Sequence, residues 1–164
     1  MRILIISIFL LFGLSNQAQT VEQTKKIEEL KHLLFYEADW ERAEEKLKKY
    51  TGEVSLDTTS YYYAKLLLLD AQLQYEKGNY RLALVKTEKI ITLTEKKDFH
   101  PLFANSLGLR AYILTEFGEL NTAEKLLQIA WNEHQNKKDT LSLDFAKAIF
   151  YRAKLSQEQG LYSI

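Results

Sequence analysis

A stretch of twenty residues, Ala64 to Ala83 (AKLLLLDAQLQYEKGNYRLA), recurs along this chain at a spacing that leaves few folds open. Its Ala64, Ala71, Gly78 and Ala83 return forty residues later as Ala104, Ala111, Gly118 and Ala123. Most of the pattern returns again, offset by 42, as Ala146, Ala153 and Gly160. Self-similarity at a fixed period of this length marks a solenoid of small supersecondary units. One such unit cannot bury its apolar face alone, so stacking on its neighbours is what stabilises it.

Within each period the apolar residues fall at helical spacing. Val21, Ile27, Leu30, Leu33 and Leu34 form a stripe over 20–38, with Thr20 and Gln23 as a capping box. Trp40, Ala43, Leu47 and Tyr50 share a face over 39–50, with Asp39 as cap. Gly52 and the Ser, Thr and Asp residues around it predict a loop over 51–59. Further helices are expected over 60–77, 80–96, 101–117, 119–135 and 140–159. Gly78 and Gly118 close the first members of two pairs, and Pro101 opens a helix at a position where its missing N–H had no partner. Ile27, Leu67, Leu107 and Ile149 are equivalent across units, as are Leu33, Leu73, Ile113 and Leu155. Ala43, Ala83 and Ala123 are equivalent in the second helices, where small side chains let backbones approach. Abundant Leu, Lys, Glu and Ala with a single proline suit an all-helical chain.

The first eighteen residues, MRILIISIFLLFGLSNQA, read differently. Arg2, an apolar run from Ile3 to Leu14 and a polar end at Ala18 have the layout of a secretory signal peptide. The run of twelve is shorter than the roughly 20 residues of a spanning helix. Cleavage after Ala18 would leave Gln19 first; an uncleaved N-terminal anchor is the alternative. The expected organisation is thus a signal peptide over 1–18 and a repeat domain over 19–164, with units 21–59, 60–98, 99–139 and a partial 140–164. An exported chain is expected in the periplasm or outside the cell. It contains no cysteine, so neither disulfides nor thiolate metal or redox sites are available to it. Cleavage removes one basic and no acidic residue, leaving 21 basic against 22 acidic. That balance argues against nucleic acid, which needs a concentrated basic surface. No membrane span is expected in the mature chain.

The repeated residues resemble the tetratricopeptide repeat. That family carries a small residue in the middle of its first helix, a Gly-Asn/Asp-Tyr type turn and an alanine opening the second helix. Here these are Ala71, Gly78-Asn79-Tyr80 and Ala83, then Ala111, Gly118-Glu119-Leu120 and Ala123. Ala38-Asp39-Trp40 and Ala43 form a weaker first copy, and Ala153, Gly160 and Tyr162 a partial fourth. The resemblance covers residues 21–162 and implies an all-α, right-handed solenoid of antiparallel helix hairpins with about seven helices. The period of 40 to 42 departs from the family's usual length of about 34, implying longer helices or loops. An apolar position of the motif holds Asp70, Arg110 and Arg152; if first helices stack in parallel, Asp70 and Arg110 are expected either to pair or to face solvent.

Little else suggests chemistry. His32, His100 and His134 fall on different elements without the close spacing of a zinc site, and no phosphate loop or nucleophile motif is present. No catalytic residue, metal or cofactor is expected, and the chain reads as a non-enzymatic binding protein. Glu44 and Lys48 are expected to support a helix as an i,i+4 pair. Tyr61-Tyr62-Tyr63 reads either as an aromatic rim or as cover for the preceding helix. In the family the first helices form a concave face. The resemblance places there His32, Phe35 and Tyr36, then Lys65, Gln72 and Tyr75, then Asn105, Tyr112 and Glu116, then Lys147, Tyr151 and Lys154. It implies a protein or peptide partner, an extended acidic or C-terminal peptide suiting this mixture. Phe145, Ala148, Phe150 and Tyr151 are expected to leave the last helix uncovered, which suggests self-association. The alternative is the N-terminal sensory region of a longer signalling protein, resembling bacterial regulators and sensor kinases.

Overall fold

The computed structural model describes residues 21–54, 58–138 and 141–160. The expected leader, the Thr20 of the capping box and Tyr162 of the partial unit lie outside the described residues. Every element among the described residues is helical. Helix α1 covers residues 21–32 and widens into a π turn, Leu33–Glu37. Then follow α2 (Trp40–Glu53), α3 (Tyr61–Glu76), α4 (Tyr80–Lys96), α5 (His100–Glu116), α6 (Leu120–Asn136) and α7 (Leu143–Glu158). The all-α helical repeat expected from the period is the observed architecture.

Local chemistry sets the boundaries. Asp39 accepts the Arg42 N–H at 3.1 Å, Ser60 the Tyr63 N–H at 3.2 Å and Ser142 the Phe145 N–H at 3.1 Å, each satisfying an otherwise orphaned helix donor. Ser142 therefore starts α7 at Leu143, three residues later than the pattern predicts. The expected loop over 51–59 begins late too. Helix α2 runs on to Glu53, whose carboxylate holds Lys26 of α1 at 2.6 Å.

The turn inside each hairpin needs a left-handed residue. Gly78, Gly118 and Gly160 supply it at φ +76°, +75° and +70°, and in the first hairpin Ala38 stands in the same place at φ 53°. A side chain there costs about 1–2 kcal/mol, so the weakest copy of the sequence motif has a more strained turn than the glycine copies. Asp98 and Lys138, between hairpins, take the same conformation at φ 58° and 55°.

First helices form one row and second helices another. Helix α5 packs directly on α3 and on α7, and each second helix packs on the first helices beside it. Ala43, Ala83 and Ala123 have no exposed surface, as their recurrence requires. Leu33, Leu73, Ile113 and Leu155 are buried throughout. One core joins α1 and α2 to Tyr62, Leu66, Leu69 and Leu73 of α3; a second joins the other side of α3 to α4 and α5. Helices α3 and α5 are consequently buried on most sides.

Asp70 and Arg110 do not pair, nor do they simply face solvent. Asp70 binds Lys86 of α4 at 2.5 Å, and Arg110 donates to the Leu84 carbonyl at 2.9 Å and meets Glu88 at 3.1 Å. Arg152 lies 4.6 Å over the Trp131 ring. This position of a first helix points toward the row of second helices, not along its own row. Glu44 likewise reaches Lys77 after α3 rather than Lys48.

The last unit is partly covered. Phe145 is buried against Trp131 of α6, with centroids 4.9 Å apart, and Ala148 is buried too, so two residues expected to be open are covered. Ile149 is different: it is 48% exposed, whereas its equivalents Ile27, Leu67 and Leu107 are 4%, 8% and 3% exposed. Phe150 beside it is 56% exposed.

Candidate binding face

The face turned away from the second helices is lined by α1, α3, α5 and α7 alone, and it holds two adjoining cavities. The first, about 540 Å³, gathers His32, Phe35, Tyr36, Lys65, Gln72, Asn105 and Lys147, together with Tyr61, Leu68 and Asp144. The second, about 550 Å³, gathers Gln72, Tyr75, Tyr112, Lys147 and Tyr151 with Leu109 and Phe150. Phe35, Gln72 and Lys147 belong to both. Residues spread over more than a hundred positions of sequence thus converge because the row of first helices curves.

The curvature is strong enough for the ends to touch. The Lys147 ammonium of α7 lies 5.6 Å from the centre of the Phe35 ring, which the π turn after α1 carries. A π turn adds a residue to the helical ring and re-aims the side chains around it. Phe35 and Tyr36 stay 46% and 81% exposed, and Tyr36 stacks on His32 at 5.5 Å.

Electrostatics differ around the face. In the first cavity Lys31 is paired with Glu28 at 2.8 Å and His32 with Glu37 at 2.9 Å. Lys65 lies 5.0 Å over the Tyr61 ring. Among the described residues neither Lys65 nor Lys147 forms an ion pair with a carboxylate. Burial lowers the Lys147 ammonium below the usual lysine range, with Asp144 opposing the shift and Lys31 adding to it.

The second cavity is a wall of rings. Tyr151 stacks on Tyr112 at 5.0 Å, Tyr112 leans on Tyr75 at 5.1 Å, and Tyr75 meets Tyr80 at 5.4 Å. Tyr151 fits because Gly108 of α5 lies beneath it: a Cβ on Gly108 would come within 3.0 Å of the ring. Burial raises the Tyr151 hydroxyl well above the ordinary tyrosine range. It raises Tyr75 likewise, with a hydrogen bond to Tyr112 adding to the effect. Burial also raises the Glu76 carboxyl at its edge.

Two expected residues line neither cavity. Lys154 turns along its own helix to Glu158 at 2.8 Å, and Glu116 sits exposed at the end of α5, one turn past Tyr112. The tyrosine run divides between both expected roles. Tyr62 and Tyr63 are buried against neighbouring helices, while Tyr61 is 39% exposed and faces the first cavity. Phe150 and Asp144 were not expected on this face; the only signal was their position one residue before Tyr151 and three before Lys147 on α7.

Elsewhere, a hollow of about 710 Å³ runs along α4 from Leu84 to Lys96, and Arg110 on its wall is already committed to Leu84 and Glu88. His100 bridges Glu133, at 3.0 Å, and Asp98, tying the start of α5 to α6. Among the described residues no group of three His, Asp or Glu side chains is placed to hold a metal ion, and no helix is long and apolar enough to cross a membrane. Fold and face together define a helical-repeat protein with an inner face built by its first helices. Comparison with protein-family models, curated proteins and solved structures gives no match.

Proposed function

We propose that this chain is an exported, non-enzymatic binding protein of the tetratricopeptide type, holding a protein or peptide partner on its concave face. The observation that carries this reading is the convergence of Lys65, Asn105 and Lys147, from three successive first helices, around one cavity with exposed aromatics. Two of these are cations without carboxylate partners among the described residues, so an acidic segment of a partner would complete them. A partner engages the cavities on either side of the Phe35–Lys147 contact. Aromatic anchors in desolvated pockets supply affinity, and charge matching supplies selectivity. The Arg2, Ile3–Leu14 and Ala18 layout supports export to the periplasm or beyond.

The test is capture from a cell-envelope extract by the mature chain, compared with a Lys65→Glu, Lys147→Glu variant of unchanged helical circular dichroism. Proteins retained by the first and lost by the second are the expected result. Identical recovery by both would remove the groove from the function.

A second reading, in which the repeats form the sensory region of a longer signalling protein, is supported by the open face of α7. There Ile149 is exposed at a position that the three earlier units bury, so another element would find an apolar seat on it.

A further inference from the structure

We infer that the α1 half of the concave face is a binding site for a small amphipathic carboxylate, an acid group on an apolar body, with Lys147 as its counter-ion. The inference rests on the concave face being a binding face and adds the class of ligand. Four observations on this half of the molecule lead to it.

The first is charge. Lys31 and His32 are matched by Glu28 and Glu37, which leaves Lys65 and Lys147 against Asp144 alone. A partly buried ammonium without a carboxylate partner carries a desolvation cost that an incoming anion relieves. Burial holds the Lys147 ammonium below the usual lysine range although Asp144, three residues before it, opposes the shift. The second is composition. Behind the cations the walls are Ile27, Phe35, Leu68, Leu69 and Leu102, so whatever carries the acid group meets hydrocarbon. An apolar wall with few convergent polar groups is the usual make-up of a small-molecule site, and about 540 Å³ lies within the usual range of about 300–1,000 Å³.

The third is enclosure. Phe35 and Lys147 meet across the face at 5.6 Å, between the two cavities. A compact ligand on the α1 side leaves that contact intact. The fourth is contrast. In the neighbouring cavity the rings stack on one another and Glu76 lines the edge opposite Lys147, whereas the α1 half sets Lys65 beside Lys147.

The experiment is an NMR titration of the full mature chain with two probes of equal tail length, decanoate and decyltrimethylammonium, following backbone amides. Decanoate is expected to give saturable shifts at residues of α1, α3 and α7 that line the cavity. Decyltrimethylammonium is expected to give none there. Lys147→Met keeps the bulk and removes the charge, and should weaken decanoate about tenfold, as loss of a charge-assisted contact does; Lys147→Arg should retain it. Equal binding of both probes, or decanoate affinity unchanged in Lys147→Met, would overturn the proposal, because the pocket would then be merely apolar. Absence of decanoate binding to the native chain overturns it as well. Should Lys147→Met fail to fold, the contrast between the two probes on the native chain decides the matter. These readouts are independent of partner capture, so the ligand class and the partner-binding reading fail separately.

Discussion

The two halves of the concave face are made by the same four helices and hold cavities of nearly equal size, yet they are stabilised in opposite ways. In the α7 half, Tyr75, Tyr112 and Tyr151 satisfy one another by stacking, and Gly108 gives Tyr151 its seat. That half is a finished wall. In the α1 half, Phe35 and Tyr36 are held out on a π turn, and Lys65 and Lys147 face the cavity without carboxylate partners among the described residues. The contrast shows where a repeat protein keeps its stability and where it keeps unsatisfied chemistry. A substitution in the first half should cost folding, and one in the second should cost binding.

The largest effect is expected at the ring wall. Tyr151→Ala removes the ring stacked on Tyr112 and opens the space above Gly108, and should destabilise by about 2–3 kcal/mol, below the range for a fully buried ring. Urea denaturation measures it. A loss under 1 kcal/mol would mean that the stack is decorative and the two halves do not differ.

An intermediate effect is expected in alkali. Burial pushes the Tyr62 hydroxyl up to about 12 and raises Tyr75 and Tyr151 further. A tyrosine of the unfolded chain titrates near 10. Because the folded values are raised, this contribution is intact below pH 10 and is lost as pH rises through the folded values. Absorbance at 295 nm followed beside circular dichroism should show ionisation of these three only as helicity collapses, and Tyr151→Phe should move the alkaline midpoint upward. Full ionisation of all ten tyrosines with helicity unchanged would contradict the burial argument.

The smallest effect has the opposite sign. Lys147→Met should stabilise by about 0.5–1 kcal/mol at pH 7, since a neutral side chain carries no charge to desolvate. The lysine's value is lowered on folding, so its cost is present while it is protonated and fades as pH rises through that lowered value. The gain, read by urea denaturation at pH 7 and at pH 9.5, should therefore shrink at the higher pH. A destabilised variant would place Lys147 with the structural residues and erase the distinction between the halves.

Much of the fold was legible because the repeat is a packing rule written in residue size. Ala43, Ala83 and Ala123 recur where helices cross, and Gly78 and Gly118 recur where the backbone turns left-handed; both follow from local sterics. Two of the helix starts were equally local, at Asp39 and Ser60, whereas Ser142 starts α7 three residues later than expected. The candidate face was legible by row, since ten of the twelve expected residues line a cavity, with Glu116 and Lys154 excluded by where their helices end and what they pair with.

What the pattern could not carry was anything dependent on how far the row bends. Periodicity places Asp70 and Arg110 on a face, but only packing decides that each meets α4 and not the other. Alternating small and large residues announces a stack of hairpins; the angle between successive hairpins is a sum of many side-chain contacts, and no single residue encodes it. From the sequence alone come the helices, the turns and the order of units. Only the tertiary structure brings Phe35 of the first unit against Lys147 of the last, and with that contact divides one concave face into a wall and a pocket.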